Sequence, residues 1–162
     1  MNHIWSPWRM SYIMNHEHKD GCIFCDALKS ANDAENLVAF RGSKAFVILN
    51  RYPYTSGHLM VVPNAHHPSM EYLDVETGNE IMALLNTSIR VLRSVYKPEG
   101  FNIGTNIGDV AGAGVASHVH FHVVPRWSGD TNFITTTGMV RVLPEELSQT
   151  YERICQAWNK LE

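Results

Sequence analysis

Three histidines occupy alternate positions in one short apolar run, His118-Val119-His120-Phe121-His122-Val123-Val124. Side chains alternate across a β-strand, so His118, His120 and His122 fall on one face and Val119, Phe121 and Val123 on the other. A row of imidazoles titrating near neutrality serves nucleophilic or general acid/base chemistry, metal ligation or anion binding. A lone histidine on a strand is more often a packed or solvated bystander. Three in strict alternation are harder to account for that way. His120, flanked on both sides, is the best placed nucleophile. Attack on phosphorus needs a lone pair on one ring nitrogen and a hydrogen bond on the other to fix the tautomer. Donors to the phosphate oxygens would come from the outer histidines and from backbone amides.

A source of such amides lies immediately upstream. The stretch Asn106-Ile107-Gly108-Asp109-Val110-Ala111-Gly112-Ala113-Gly114 carries three glycines in seven positions from Gly108 onward. Glycines allow backbone amides to approach an anion and to form a concave nest. Most glycine-rich loops are only turns, but this one feeds directly into the three histidines. A second constellation, Cys22-Ile23-Phe24-Cys25, has a spacing suited to zinc and also to thiol redox chemistry. Reduced, partly buried thiols are the plain alternative.

The elements that must position these groups can be read coarsely. The 162 residues suit a single domain with a core that needs no disulfides, and 44% hydrophobic residues fit an ordinary globular protein. A formal net charge of -3 provides no global field for a nucleic-acid backbone, so any phosphate recognition is local. No secretory signal, no apolar run near the roughly 20 residues of a membrane span, and an odd number of cysteines suggest a cytoplasmic protein. The first forty or so residues read as irregular. Strands are expected over Val38 to Phe40 and Lys44 to Leu49, around the turn Arg41-Gly42-Ser43, and over His58 to Val62, ended by Pro63. Ile81, Leu84, Leu85, Ile89, Leu92 and Val95 recur at helical spacing between an N-cap at Asp74 and a stop at Pro98. A strand over Phe101 to Ile107, the glycine loop, the histidine strand from His118 to Val124, and a helix opening at Pro144-Glu145-Glu146 and running toward Leu161 complete the chain. The order predicts an α+β fold: a mostly antiparallel sheet of about five strands, a long helix after the third strand and a C-terminal helix.

The run His118 to Val124 resembles the His-x-His-x-His signature of the histidine triad (HIT) superfamily of nucleotide hydrolases and transferases. Leu49-Asn50-Arg51-Tyr52-Pro53, Gly57-His58-Leu59-Met60-Val61-Val62-Pro63 and Pro125-Arg126 extend the resemblance over most of the chain. The resemblance implies that His120 forms a nucleotidyl-histidine intermediate at an α-phosphate, that His122 donates to phosphate oxygens and that His58 lies near them. Asn50 then matches the ribose-binding position, and Asn106 one that contacts phosphate or the leaving group. Ile4 to Ile13, Pro125 to Phe133 and Arg141 to Glu145 resemble the bacterial branch that includes diadenosine tetraphosphate phosphorylases. Hydrolytic members often carry Gln four residues before the first triad histidine, where this chain has Gly114. The missing side chain leaves room for inorganic phosphate as acceptor, with Gly112 and Gly114 at the phosphates. Ala113-Gly114 also departs from the Gly-Ser pair associated with phosphorylases. Trp127 is a candidate at the border of the phosphate or base pocket, with a core or interface role as the alternative.

Some bacterial members complete a zinc site with a histidine after the early proline and with the first triad histidine. That implies a structural site of Cys22, Cys25, His66 and His118, pinning segment 1–36 to the sheet, with His67 the neighbouring candidate. No catalytic metal or organic cofactor is implied, and a homodimer is. The expected activity is cleavage of a dinucleoside polyphosphate at the α-phosphate, resolved by phosphate or water. The alternatives are an adenosine phosphoramidate hydrolase, a non-catalytic nucleotide-binding regulator, and a metal-dependent hydrolase that uses the triad as ligands.

Overall fold

Two strands made wholly of buried residues, Ala45–Leu49 (β2) and Leu59–Pro63 (β3), form the middle of the molecule. A computed structural model describes residues 21–138 and 143–161. The Ile4 to Ile13 stretch and Arg141-Val142 of the resemblance lie outside the described residues. Val38–Arg41 (β1), Gly100–Thr105 (β4) and Phe121–Arg126 (β5) complete an antiparallel sheet in the order β1-β2-β3-β5-β4. The predicted five-strand architecture is therefore the observed one.

Register assigns the two faces. Ile48 pairs with Met60, Met60 with His122, and His122 with Gly104, so these four positions share one face. The long helix Val75–Tyr96 (α3) packs on the sheet and buries Ile81, Leu84, Leu85, Ser88, Val91 and Leu92 along one stripe. It begins as its sequence predicts, with the Asp74 carboxylate accepting the Thr77 N–H at 2.7 Å. It ends at Lys97 in the left-handed conformation, directly before Pro98. Leu147–Trp158 (α5) packs against α3 and β1, with Trp158 stacked on Phe40 at 5.0 Å.

Three sequence expectations need correction, and one helix was not foreseen. Segment 1–36 is not irregular where it is described: Ile23–Lys29 (α1) and Asp33–Asn36 (α2) are helical. Neither is long enough to hold itself in water, and tertiary contact supplies the stability. Arg41 donates to the Ala27, Leu28 and Ser30 carbonyls at 2.8–2.9 Å and pairs with Asp33 at 2.7 Å, closing the C-terminal end of α1. The histidine strand begins at Phe121 rather than His118, because the Val119 N–H bonds the His67 carbonyl at 2.7 Å instead of a neighbouring strand. The last helix starts at Leu147 rather than at Pro144. Glu145 is held instead by the Tyr96 hydroxyl at 2.5 Å, the Thr150 hydroxyl at 2.9 Å and Arg153 at 2.8 Å. Finally, a short helix over Phe133–Thr137 (α4) had no clear periodic signal.

Gly57 fixes the entry into β3. Its φ is +79°, and a Cβ there would lie 2.9 Å from Leu92 Cδ2 and 3.1 Å from Tyr96. Gly57→Ala should therefore lower unfolding free energy by about 2 kcal/mol, combining left-handed strain with a steric contact. Denaturant titration checks this, and an unchanged midpoint would show that the turn relaxes freely.

Candidate active site and metal cluster

The site is assembled around the approach to β5. His118 and His120 are both buried, 0% and 4% exposed, and α1 lies against them through Phe24, with ring centroids at 5.5 and 5.0 Å. The predicted alternation thus persists through residues that have no strand partner. His120 Nδ1 lies 2.9 Å from the His118 carbonyl oxygen. A carbonyl can only accept, so Nδ1 carries the hydrogen and Nε2 keeps its lone pair. That is the tautomer a nucleophilic imidazole requires.

A second chain of hydrogen bonds sets His122. The Tyr54 N–H donates to His58 Nδ1 at 3.2 Å, and the Asn50 amide nitrogen lies 3.4 Å from the same atom. His58 Nδ1 is therefore an acceptor, and its Nε2–H points at His122 Nδ1, 2.9 Å away. His122 in turn must carry its hydrogen on Nε2, as a donor. The two outer triad members thus differ from the middle one in tautomer and in role. His58 is 1% exposed and stands behind His122 rather than beside His120. Its position in a relay was not legible from the sequence.

His120 and His122 line a cavity of about 430 Å³ with Ile23, Phe24, Leu37 and Met60 among its walls. Asn50, Gly112 and Gly114 line the same cavity. Asn50 accepts the Tyr52 N–H at 2.9 Å, which orients its amide while one lone pair and one N–H are left for a ligand. The cavity thus combines apolar walls, an oriented amide and two imidazoles. The apolar wall from α1 went unread in the sequence, although Ile23, Phe24 and Ala27 fall on one helical face. Asn106 and Trp127 lie elsewhere. The Asn106 amide donates to the Gly112 carbonyl at 3.3 Å and faces a neighbouring cavity, which His122 also lines. The Trp127 indole N–H donates to the Tyr96 carbonyl at 3.4 Å, and the ring borders a third cavity near Glu145.

Cys22, Cys25, His66 and His118 converge so that their ligand atoms all lie within 4.8 Å of one another. Cys22 Sγ is 3.3 Å and Cys25 Sγ 3.7 Å from His118 Nδ1, and Cys25 Sγ is 3.2 Å from His66 Nδ1. Metal–sulfur and metal–nitrogen bonds of about 2.3 and 2.0 Å give a tetrahedron edge of roughly 3.6 Å. The spacing fits. His118 Nε2 donates to the Pro63 carbonyl at 2.9 Å, which leaves Nδ1 as the ligand atom. Burial, then the neighbouring Cys22, raises the Cys25 thiol above its ordinary value, a cost that a cation would relieve. His67, the other candidate, is outside the cluster.

Burial also lowers the proton affinity of the triad. His118 and His120 are pushed below the ordinary imidazole value, and His122 down to about 4, with His120 adding repulsion.

The HIT domain profile matches residues 32–129. AP-4-A phosphorylase of Mycobacterium tuberculosis (strain H37Rv) is 39% identical over 166 residues, spanning 98% of this chain and 85% of its own length. Adenosine 5'-monophosphoramidase hnt1 of Schizosaccharomyces pombe is 29% identical over 133 residues, spanning 82% of this chain and 95% of its own. Among solved structures, a Zn-bound histidine triad family protein from Mycobacterium smegmatis superposes with a TM-score of 0.71 at 26% identity, covering 88% of this chain and 96% of its own.

The His122 shift has a definite sign. Folding favours the neutral ring, so its contribution to stability is complete above the unfolded value of 6.5 and declines as pH falls from there toward about 4. The His122 resonances in a two-dimensional NMR titration should therefore stay in the neutral form at pH 6 and move near pH 4. A midpoint at 6.5 would mean that the ring is solvated.

Proposed function

This chain belongs to the histidine triad family, and on that premise we propose that it is a nucleotidyl-transfer enzyme that cleaves dinucleoside polyphosphates such as diadenosine tetraphosphate at the α-phosphate. The observation that carries this reading is the bond from His120 Nδ1–H to the His118 carbonyl, which keeps the Nε2 lone pair on an imidazole lining the cavity. His120 Nε2 attacks the α-phosphorus, the bond to the bridging oxygen breaks, and the polyphosphate nucleotide leaves with the electron pair. The positive charge acquired by the ring is stabilised through Nδ1–H by the carbonyl dipole. His122 Nε2–H donates to the phosphate oxygens, where charge shifts in the transition state.

The intermediate then passes its nucleotidyl group to phosphate or to water, and the P–N bond breaks. Phosphate as acceptor gives ADP and ATP from diadenosine tetraphosphate, and water gives AMP and ATP. Gly114, which is exposed and lines the cavity, leaves the approach open to phosphate. The 39% identity to an AP-4-A phosphorylase favours phosphorolysis. The similarity to a monophosphoramidase keeps an adenosine phosphoramidate as the second substrate to test.

The Cys22, Cys25, His66 and His118 cluster is proposed to hold a structural zinc ion. When bound, the ion would join α1 to the approach of β5, with all four protein ligands used and none of the chemistry passing through it. A homodimer is proposed through the open side of edge strand β4 and the exposed Val75 and Met82 of α3. Among the described residues no helix is long and apolar enough to cross a membrane, and a cytoplasmic setting suits free thiols.

Product analysis tests the reaction. Diadenosine tetraphosphate with phosphate should give ADP plus ATP, and His120→Asn should lower kcat at least ~10³-fold while the protein stays folded. Phosphate-independent AMP plus ATP would overturn the phosphorylase assignment, and undiminished turnover by the variant would overturn the nucleophile. For the metal, elemental analysis should find one zinc per chain, and Cys22→Ser should lose it together with several degrees of Tm. Full stability without zinc would refute the structural role.

A further inference from the structure

His122 and Tyr54 line two cavities rather than one. The first is the cavity shared with His120, and the second, of about 320 Å³, lies over β4 and the far end of β5. Gly104 creates the opening between His122 and this second space. It pairs with His122 across the β4/β5 ladder, and a Cβ built there would meet nothing within 4 Å. The face beside the imidazole is therefore open because one cross-strand side chain is missing. From His122 the cavity follows β5 to Arg126, about 14 Å at strand rise, and reaches Asp130 and Thr131.

The far end has a particular chemistry. Arg126 donates Nε and Nη2 to the Asp130 carboxylate at 2.5 and 2.8 Å and Nη1 to the Asn102 side-chain amide oxygen, Oδ1, at 2.7 Å. Its charge is matched by Asp130, and three of its five N–H hydrogens are committed within the protein. Asn102 is thereby oriented with its NH2 as the end available to a ligand, beside the Thr131 hydroxyl oxygen, whose own hydrogen goes to Asp130. An amide and a hydroxyl oxygen beside a charge-matched guanidinium suit sugar hydroxyls and a base edge better than a run of phosphates.

We propose that this second cavity binds the nucleoside of the leaving half of a dinucleoside polyphosphate, so that the substrate straddles His122 and its phosphate bridge runs past Gly104. The proposal rests on the nucleotidyl-transfer reading above and adds a second recognition site to it. The enzyme reads both ends of its substrate. A mononucleoside polyphosphate with the same α-phosphate and bridge occupies one cavity only.

The test compares diadenosine tetraphosphate with adenosine 5'-tetraphosphate, which lacks the second nucleoside. With the full chain, kcat/KM should be at least tenfold higher for the dinucleoside. Asn102→Ala and Thr131→Val should each shrink that ratio severalfold, chiefly through KM for the dinucleoside. Gly104→Val, which fills open space without backbone strain, should depress both tetraphosphates relative to adenosine phosphoramidate. Equal kcat/KM for the two tetraphosphates, or a ratio untouched by all three variants, would overturn the second site while leaving nucleotidyl transfer standing. An increase confined to KM for inorganic phosphate in the variants would overturn it too, assigning the cavity to the acceptor. No turnover of any of the three substrates would instead sink the underlying reading.

Discussion

His118 is used twice, and the rest of the site depends on that double use. Its imidazole is completely buried between the Pro63 carbonyl and the two thiols, and its own carbonyl receives His120 Nδ1–H. The ring anchors the chain, and the chain aims the His120 imidazole. This is available because pairing with β3 begins only at Phe121, so the backbone at His118 is not committed to a neighbouring strand. A ladder running through His118, as the sequence alternation suggests, would have competed for that carbonyl.

Burial of the triad gives these bonds their weight. Imidazoles held neutral by desolvation carry no charge with which to attract an anion at a distance. Their effect is directional. One ring presents a lone pair, the next a hydrogen, and the difference is set by what stands behind each: a carbonyl that receives the His120 Nδ1–H, and for His122 the donating Nε2–H of His58, itself set by Tyr54 and Asn50. Asn50 is thus connected to the far triad member through a single imidazole, besides facing the cavity itself.

The features legible in the sequence were those set by local pattern. The apolar spacing of Ile81 to Leu92, the Asp74 cap and Pro98 bound α3 correctly, and alternation put His118, His120 and His122 on one side. The four candidate metal ligands came from a family resemblance, and they meet in space. What escaped were features made by distant residues. Helices α1 and α2 are held by Arg41, on β1, which donates to the Ala27, Leu28 and Ser30 carbonyls at the end of α1 and pairs with Asp33 of α2. His58 sits behind His122 because β3 pairs with β5, a crossover that periodicity does not encode. The space beside His122 depends on Gly104, whose meaning appears only once its cross-strand partner is known.

The seven-residue helix α1 carries Phe24 on one cavity wall and Cys25 in the thiol cluster, and Arg41 fastens its end. So short a segment opens and closes as a unit, at a free energy below that of global unfolding, and amide exchange there would report the event. Occupancy of either face has to hold the segment shut. A metal at the thiols and a nucleoside in the cavity, if both bind as proposed, would draw on one opening equilibrium, and each would favour the other by the same free energy. The proposed cofactor content and substrate affinity would then be linked through one helix, although no atom of the ion need touch the substrate.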